Sequence, residues 1–287
     1  MYELIERTDE MRGYADTDWG QVHYRRSGPP PPDTNAVVLL HESPRSSLVY
    51  EPIMDELGKR VPVFAFDTPG FGLSDSAPAG ATMADYGRIL IQAMDALGID
   101  GFVPVGMKTG GFLATEIARL LLDTGRVQRA VLYALEEPDA EVCEYWAANW
   151  APDLEVTADG AIFRQLWQKN VGIYGSDSPR ELSLCVAEVV GNIERYNSIY
   201  PAVFRHMPQS WLDTHALVDA GIELTFLEPP SGRMTPDVPV VFTRIPGTRV
   251  IEMPVSGQFP ARAPQQFIDA VLSAVLPDAH IVRAARG

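Results

Sequence analysis

Lysine is nearly absent from this chain. Lys59, Lys108 and Lys169 are the whole complement, and arginine supplies the rest of the 23 basic residues set against 38 acidic ones. The resulting net charge of −15 and pI near 4.7 argue against nucleic acid or an anionic membrane surface as a partner. Cysteine is scarce too. Cys143 and Cys185 show neither metal-ligand spacing nor a disulfide framework, which predicts a reducing, cytoplasmic setting. No run reaches the roughly 18 apolar residues of a membrane span, and Met1 to Glu6 has neither the basic start nor the apolar stretch of a signal peptide. Metal-binding clusters, phosphate-binding glycine loops and dinucleotide fingerprints are also missing, so no cofactor and no metal are expected. What is present is a 46% hydrophobic chain of 287 residues, enough for one domain with a full core and room for an insertion.

The apolar runs alternate with helical patterns. Arg12 to Arg26 predicts an opening hairpin turning at Asp18-Trp19-Gly20, and Gly28 to Asp33, with four prolines, predicts a stiff extended connector. Strands are expected at Ala36–Leu40, Val61–Phe66, Phe102–Val105, Arg129–Leu135, Ile222–Leu227 and Val250–Met253. Helices are expected at Leu48–Leu57, at Thr82–Leu97, from Phe112 to about Leu122, and from Pro264 to Leu276. In the second of these Met83, Tyr86, Leu90, Met94 and Leu97 form one buried stripe. Such alternation implies a mostly parallel sheet covered on both faces. Between about Asp139 and Asp219 the signals are helical alone and rich in aromatics. The division expected is therefore a core of residues 1–136 with 220–287 and a helical cap of residues 137–219.

The organising stretch is Gly106-Met107-Lys108-Thr109-Gly110-Gly111, between an apolar strand and a helix. Strand, Gly-x-Nuc-x-Gly turn and helix make the elbow that holds a reactive side chain over a sheet. Two further signatures accompany it: His41-Glu42-Ser43-Pro44 after one strand, and Asp67-Thr68-Pro69-Gly70-Phe71-Gly72-Leu73-Ser74 after the next. With these three in order, the chain resembles the capped branch of the α/β-hydrolase superfamily that includes epoxide hydrolases and haloalkane dehalogenases. The resemblance implies the α/β-hydrolase fold: a mostly parallel central sheet flanked by helices, with an inserted helical cap.

It also implies catalytic positions, and each departs from the family. The nucleophile position is Lys108. The histidine position falls at Gln258, within Ser256-Gly257-Gln258-Phe259, and the acid position falls near Pro230 or Ser231. Glutamine is no general base, so ordinary ester hydrolysis is not expected. The oxyanion hole of the fold maps to the backbone N–H groups of Ser43 and Thr109. Glu42 places a carboxylate beside this turn, either paired with Lys108 or solvated. Glu136 ends a strand where some relatives carry their acid.

His206 and His215 lie in the cap, and either one facing the pocket would serve as acid or base; His41 is expected to make a structural hydrogen bond, and His23 and His280 to lie at the surface. Cap aromatics such as Trp146 and Trp167 are expected to line an apolar pocket. Burial and the helix N-terminus should both lower the pKa of Lys108, favouring a neutral amine. Such an amine forms a Schiff base or removes a proton beside a carbonyl, whereas a lysine that stayed protonated would polarise a carbonyl alongside the Ser43 and Thr109 N–H groups. The function expected is thus non-hydrolytic carbonyl or enolate chemistry (lyase, aldol-type or cyclase) on an apolar, carbonyl-bearing small molecule, by a monomer or homodimer. The alternatives are a silent ligand-binding protein, or a hydrolase whose cap supplies the catalytic groups.

Overall fold

The computed structural model describes residues 11–29, 36–133, 139–230, 245–255 and 257–276. Two strands open it, β1 (Met11–Thr17) and β2 (Gly20–Ser27), joined through Asp18 and Trp19 as an antiparallel hairpin. Then come β3 (Ala36–Leu40), a short 3-10 turn (Ser47–Tyr50) running into α1 (Glu51–Gly58), and β4 (Val63–Phe66). Helix α2 (Met83–Ala96) starts on a reciprocal cap between Thr82 and Asp85. It leads to β5 (Phe102–Gly106), α3 (Thr109–Leu120) and β6 (Arg129–Tyr133).

Among the described residues four helices intervene before the sheet resumes: α4 (Ala140–Asn149), α5 (Ala161–Tyr174), α6 (Pro179–Gly191) and α7 (Tyr200–Asp219). Strands β7 (Glu223–Glu228) and β8 (Arg249–Glu252), the single turn α8 (Phe259–Arg262) and α9 (Pro264–Val275) close the described chain. No described helix is long and apolar enough to cross a membrane.

The eight described strands run in the order β1-β2-β4-β3-β5-β6-β7-β8. From β4 to β8 every pairing is parallel, and the hairpin joins antiparallel through β2. Side chains of β3 alternate between two cores, as strand geometry requires. Val38 and Leu40 pack under α2 and α3. Val37 and Leu39 face the opposite way, against α1 and α9. Helices α5 and α6 hold a smaller cluster of their own around Ile162, Leu166, Val186 and Val189.

The loop after β4 is anchored by Asp67. Its carboxylate accepts from the Ser47 N–H at 2.6 Å and the Leu73 N–H at 2.9 Å, and lies 2.8 Å from His23 Nδ1. His23 is therefore buried against this loop, contrary to the surface position expected for it. The partner could not be read from a sequence separation of 44 residues.

Burial opposes the charge on Asp67, but these donors outweigh it and hold its pKa at about 2, against 3.8 for a free side chain. A depressed carboxylate contributes stability above its unfolded pKa and loses it as pH falls through the folded value. Roughly 2 kcal/mol should therefore disappear between about pH 4 and pH 2, and Asp67→Asn should flatten that limb. Urea unfolding across this range measures it; an unchanged slope in the variant would remove Asp67 from the account.

Candidate active site

Lys108 stands at the head of α3 with φ 48° and ψ −110°, a region unfavourable for any residue with a Cβ. The strand–helix packing leaves little alternative. A Cβ at Gly106 would lie 2.1 Å from the Gly110 carbonyl oxygen, and one at Gly110 would lie 2.0 Å from that of Leu40. The tight turn projects the Lys108 side chain into a cavity of about 160 Å³.

Its ammonium lies 2.7 Å from Glu42 Oε2 and donates to the Tyr174 hydroxyl at 3.2 Å. That hydroxyl in turn donates to Glu42 Oε2 at 3.4 Å, which closes a triangle of groups from the turn after β3, the elbow and the end of α5. Burial opposes charge on Lys108, yet the facing carboxylate of Glu42 prevails and raises its pKa well above the ordinary value. The same competition leaves Glu42 below its ordinary pKa. The amine is therefore an ammonium, not the neutral group expected from burial and the helix terminus. Glu42 carries a full opposing charge at contact distance, whereas the helix terminus carries only a fraction of one. Tyr174 is pushed up to about 12 by burial and by Glu42, so it serves as a donor.

Ser43 and Thr109 both line the cavity, and their backbone N–H groups have no protein acceptor among the described residues. Tyr200 donates to the Ser43 carbonyl at 3.0 Å and steadies that turn. Trp146, Trp150, Phe204 and Tyr200 form a wall of rings with centroids 5.3–6.2 Å apart. On α7 the lining residues Tyr200, Val203, Phe204 and Met207 follow one helical stripe.

Trp146 belongs to the cavity, but Trp167 does not. The α5 stripe presents Leu166, Asn170 and Ile173, and one residue off that stripe Trp167 is 37% exposed. His206 is likewise off the α7 stripe. Its Nε2 lies 3.5 Å from Glu116 Oε2, beside Asp213 and apart from the cavity. Its pKa is lowered, chiefly by burial. His215 packs edge-on to Trp211 and does not line the cavity either.

Gln258 takes φ 52° at the start of α8 and turns behind the site. Its Nε2 lies 3.3 Å from Cys185 Sγ, and it borders a small side cavity with Glu42, Arg45 and Met107, away from the larger one. It does not present its amide to the main cavity. Glu136 and Ser231 lie outside the described residues. His41 is buried, accepting from the Thr68 N–H at 2.9 Å and lying 3.0 Å from the Glu42 carbonyl oxygen. That structural role is the one expected of it.

Sequence reasoning missed Tyr174 and Arg45. Tyr174 was one of ten aromatic residues in the cap stretch, with no spacing to single it out. Arg45 follows the His41–Pro44 signature directly and was legible there. It is buried, pairs with Glu188, and its Nη1 lies 2.9 Å from Cys185 Sγ.

A parallel sheet entered by a hairpin, a strained strand-to-helix elbow and a cavity walled by inserted helices define a class of αβ scaffold built around one projecting side chain. The chain belongs to the α/β-hydrolase fold family, whose model matches residues 35–198. It is 31% identical over 106 residues to haloalkane dehalogenase 2 of Mycobacterium tuberculosis, a match covering 37% of this chain and 36% of that protein. The chain thus spans about a third of the length of that curated relative.

Among solved structures, an enol-lactonase from Burkholderia xenovorans superimposes with a TM-score of 0.67 at 18% identity, covering 91% of this chain and 98% of the other. A haloalkane dehalogenase loop variant from Bradyrhizobium elkanii superimposes with a TM-score of 0.67 at 16% identity, covering 97% and 100%. At such identities the likeness is one of fold.

Proposed function

We propose that this protein is a non-hydrolytic enzyme, of lyase, aldol-type or cyclase character, acting on a small apolar molecule that bears a carbonyl. In this reading Lys108 takes the nucleophile's place as a charged acid. Residues 137–219 act as a cap over a core of residues 1–136 and 220–287, in the cytoplasm. The observation that carries the proposal is Lys108 itself, kept at a strained elbow, open to the cavity and paired with Glu42.

The substrate's carbonyl oxygen would accept from the Ser43 and Thr109 N–H groups and from the ammonium. When a bond to the α-carbon breaks, its electron pair moves onto that oxygen as an enolate, and charge developing among fixed donors is strongly stabilised. Lys108 then gives a proton to the enolate carbon. The substrate's hydroxyl proton leaves as that bond breaks, through the Tyr174 hydroxyl to Glu42, and Glu42 passes it to the amine, so a β-hydroxy ketone yields an aldehyde and a ketone with no proton gained or lost.

Benzaldehyde release from its aldol adduct with acetone tests this. Lys108→Met should lower kcat/KM by about 10²- to 10³-fold, the usual loss on removing one such donor. Unchanged turnover would end the proposal. Borohydride added with the aldehyde should leave Lys108 unmodified in peptide mass maps, because an ammonium is not a nucleophile. A reduced adduct there would replace the acid role with a Schiff base.

A second reading is a silent ligand-binding protein. The mutually satisfied Lys108–Glu42–Tyr174 triangle favours it, since the three groups already hold one another as partners. Hydrolysis with groups from the cap has less support, because neither His206 nor His215 lines the cavity. Accordingly p-nitrophenyl esters should not be turned over.

A further inference from the structure

The chain carries a large negative charge, yet among the described residues the charged ones lining its cavity are Arg45, Lys108 and Lys169, with no acidic residue beside them. Two of the chain's three lysines are thus spent on one surface. The counter-charges stand back from it: Glu42 borders the small side cavity and does not line the main one, and Glu188 holds Arg45 without lining the main cavity. Each pair is therefore a dipole with its positive end toward the cavity. Lys169, by contrast, has no ion-pair partner among the described residues. It is exposed and lines the same cavity as the part-buried Lys108. Much of the remaining lining is rings and aliphatic groups: Phe112, Trp146, Trp150, Leu166, Phe204 and Met207. The volume of about 160 Å³ is on the scale of cavities that admit one benzene ring.

From this juxtaposition we infer that the ligand of the cavity is a small organic anion: a single-ring or similarly sized oxo acid. Its carbonyl sits at Lys108 and its carboxylate is directed to Lys169. A cleft of one sign in a chain of the other concentrates the complementary charge and repels its own, so the same lining rejects amines. The inference rests on the cavity being the functional site proposed above, and it does not require turnover.

The probe pair is para-carboxybenzaldehyde and its methyl ester, alike in ring and aldehyde and different in charge. Calorimetric titration should show the acid binding about tenfold tighter at low salt, with the preference shrinking toward parity near 0.5 M NaCl as the charges are screened. Lys169→Met alters an exposed side chain. It should weaken the acid about three- to fivefold, as for other solvated ion pairs, and leave the ester unchanged.

Equal or tighter binding of the ester, a preference indifferent to salt, or no binding of either compound at millimolar concentration would overturn the inference. Benzaldehyde release reads the catalytic proposal alone. A protein that prefers the acid yet releases none is an anion-binding protein, and one that turns over the aldol without preferring the acid is an enzyme of uncharged ligands.

Discussion

Glu42→Gln is expected to cost roughly 3–5 kcal/mol of stability, toward the lower end because Lys108 retains some access to water through the cavity. The isosteric amide keeps the volume and the contact with Tyr174 but leaves the ammonium, 16% exposed, with no opposing charge. Relief is available by losing the proton, so the same change should bring the pKa of Lys108 down. Denaturant unfolding reads the first effect, and the pH dependence of Lys108 acylation, followed by peptide mapping, reads the second.

The double variant Glu42→Gln with Lys108→Met should recover much of the lost stability, because no buried charge then remains unpaired. A single variant as stable as the parent, with Lys108 acylated at an unchanged pH, would show that the pair is not what keeps the amine charged. The pH signs follow from the directions of the two shifts. Glu42, depressed below 4.5, contributes above that value and loses its contribution as pH falls through its folded pKa. Lys108, raised above 10.5, contributes below that value and loses its contribution as pH rises through its folded pKa.

Gly110→Ala should be among the most damaging single methyls at the described glycines. Its Cβ would fall 2.0 Å from the Leu40 carbonyl oxygen and 2.5 Å from the carbon that bears it. Both atoms belong to backbone at the end of β3, so no rotamer change makes room. The helix would have to lift off the sheet, and Lys108 would move with it. Loss of more than about 4 kcal/mol, or failure to fold, is expected for an overpacked backbone contact.

Gly172→Ala is the matching control. It too is helical, nothing lies within 4 Å of its added Cβ, and a gain of up to about 1 kcal/mol is expected. Thermal melts of the two variants side by side separate the close approach from glycine's general helix cost. Equal shifts in both would mean that the elbow has slack.

Much of this architecture was legible in the residues. The runs at Ala36–Leu40 and Phe102–Gly106 are apolar on both faces because both faces are covered, and the stripe of α2 falls where its period puts it. The elbow was legible because its glycines answer a local steric demand that few other sequences satisfy. Boundaries shifted where local preference and packing compete. The helix expected from Leu48 begins as a 3-10 turn and becomes α-helical only at Glu51-Pro52. Residues 259–262 add a short turn that no periodicity announced, since four residues carry no period.

The site divides along the same line. The sequence by itself determined that a lysine occupies the elbow, that two backbone donors flank it, and that apolar strands and helices must stack around it. These depend on spacing along the chain and on the sterics of neighbouring residues. Which way Glu42 turns, that Tyr174 closes the triangle, that Gln258 faces Cys185, and that His206 joins Glu116 were decided only by the tertiary structure. Each of these joins segments distant in sequence, and a shift of one residue around a helix moves a side chain by about 100°. The charge of Lys108 follows from such a contact: an amine's proton is governed by what stands a few ångströms away in space, and the chain's order does not record that.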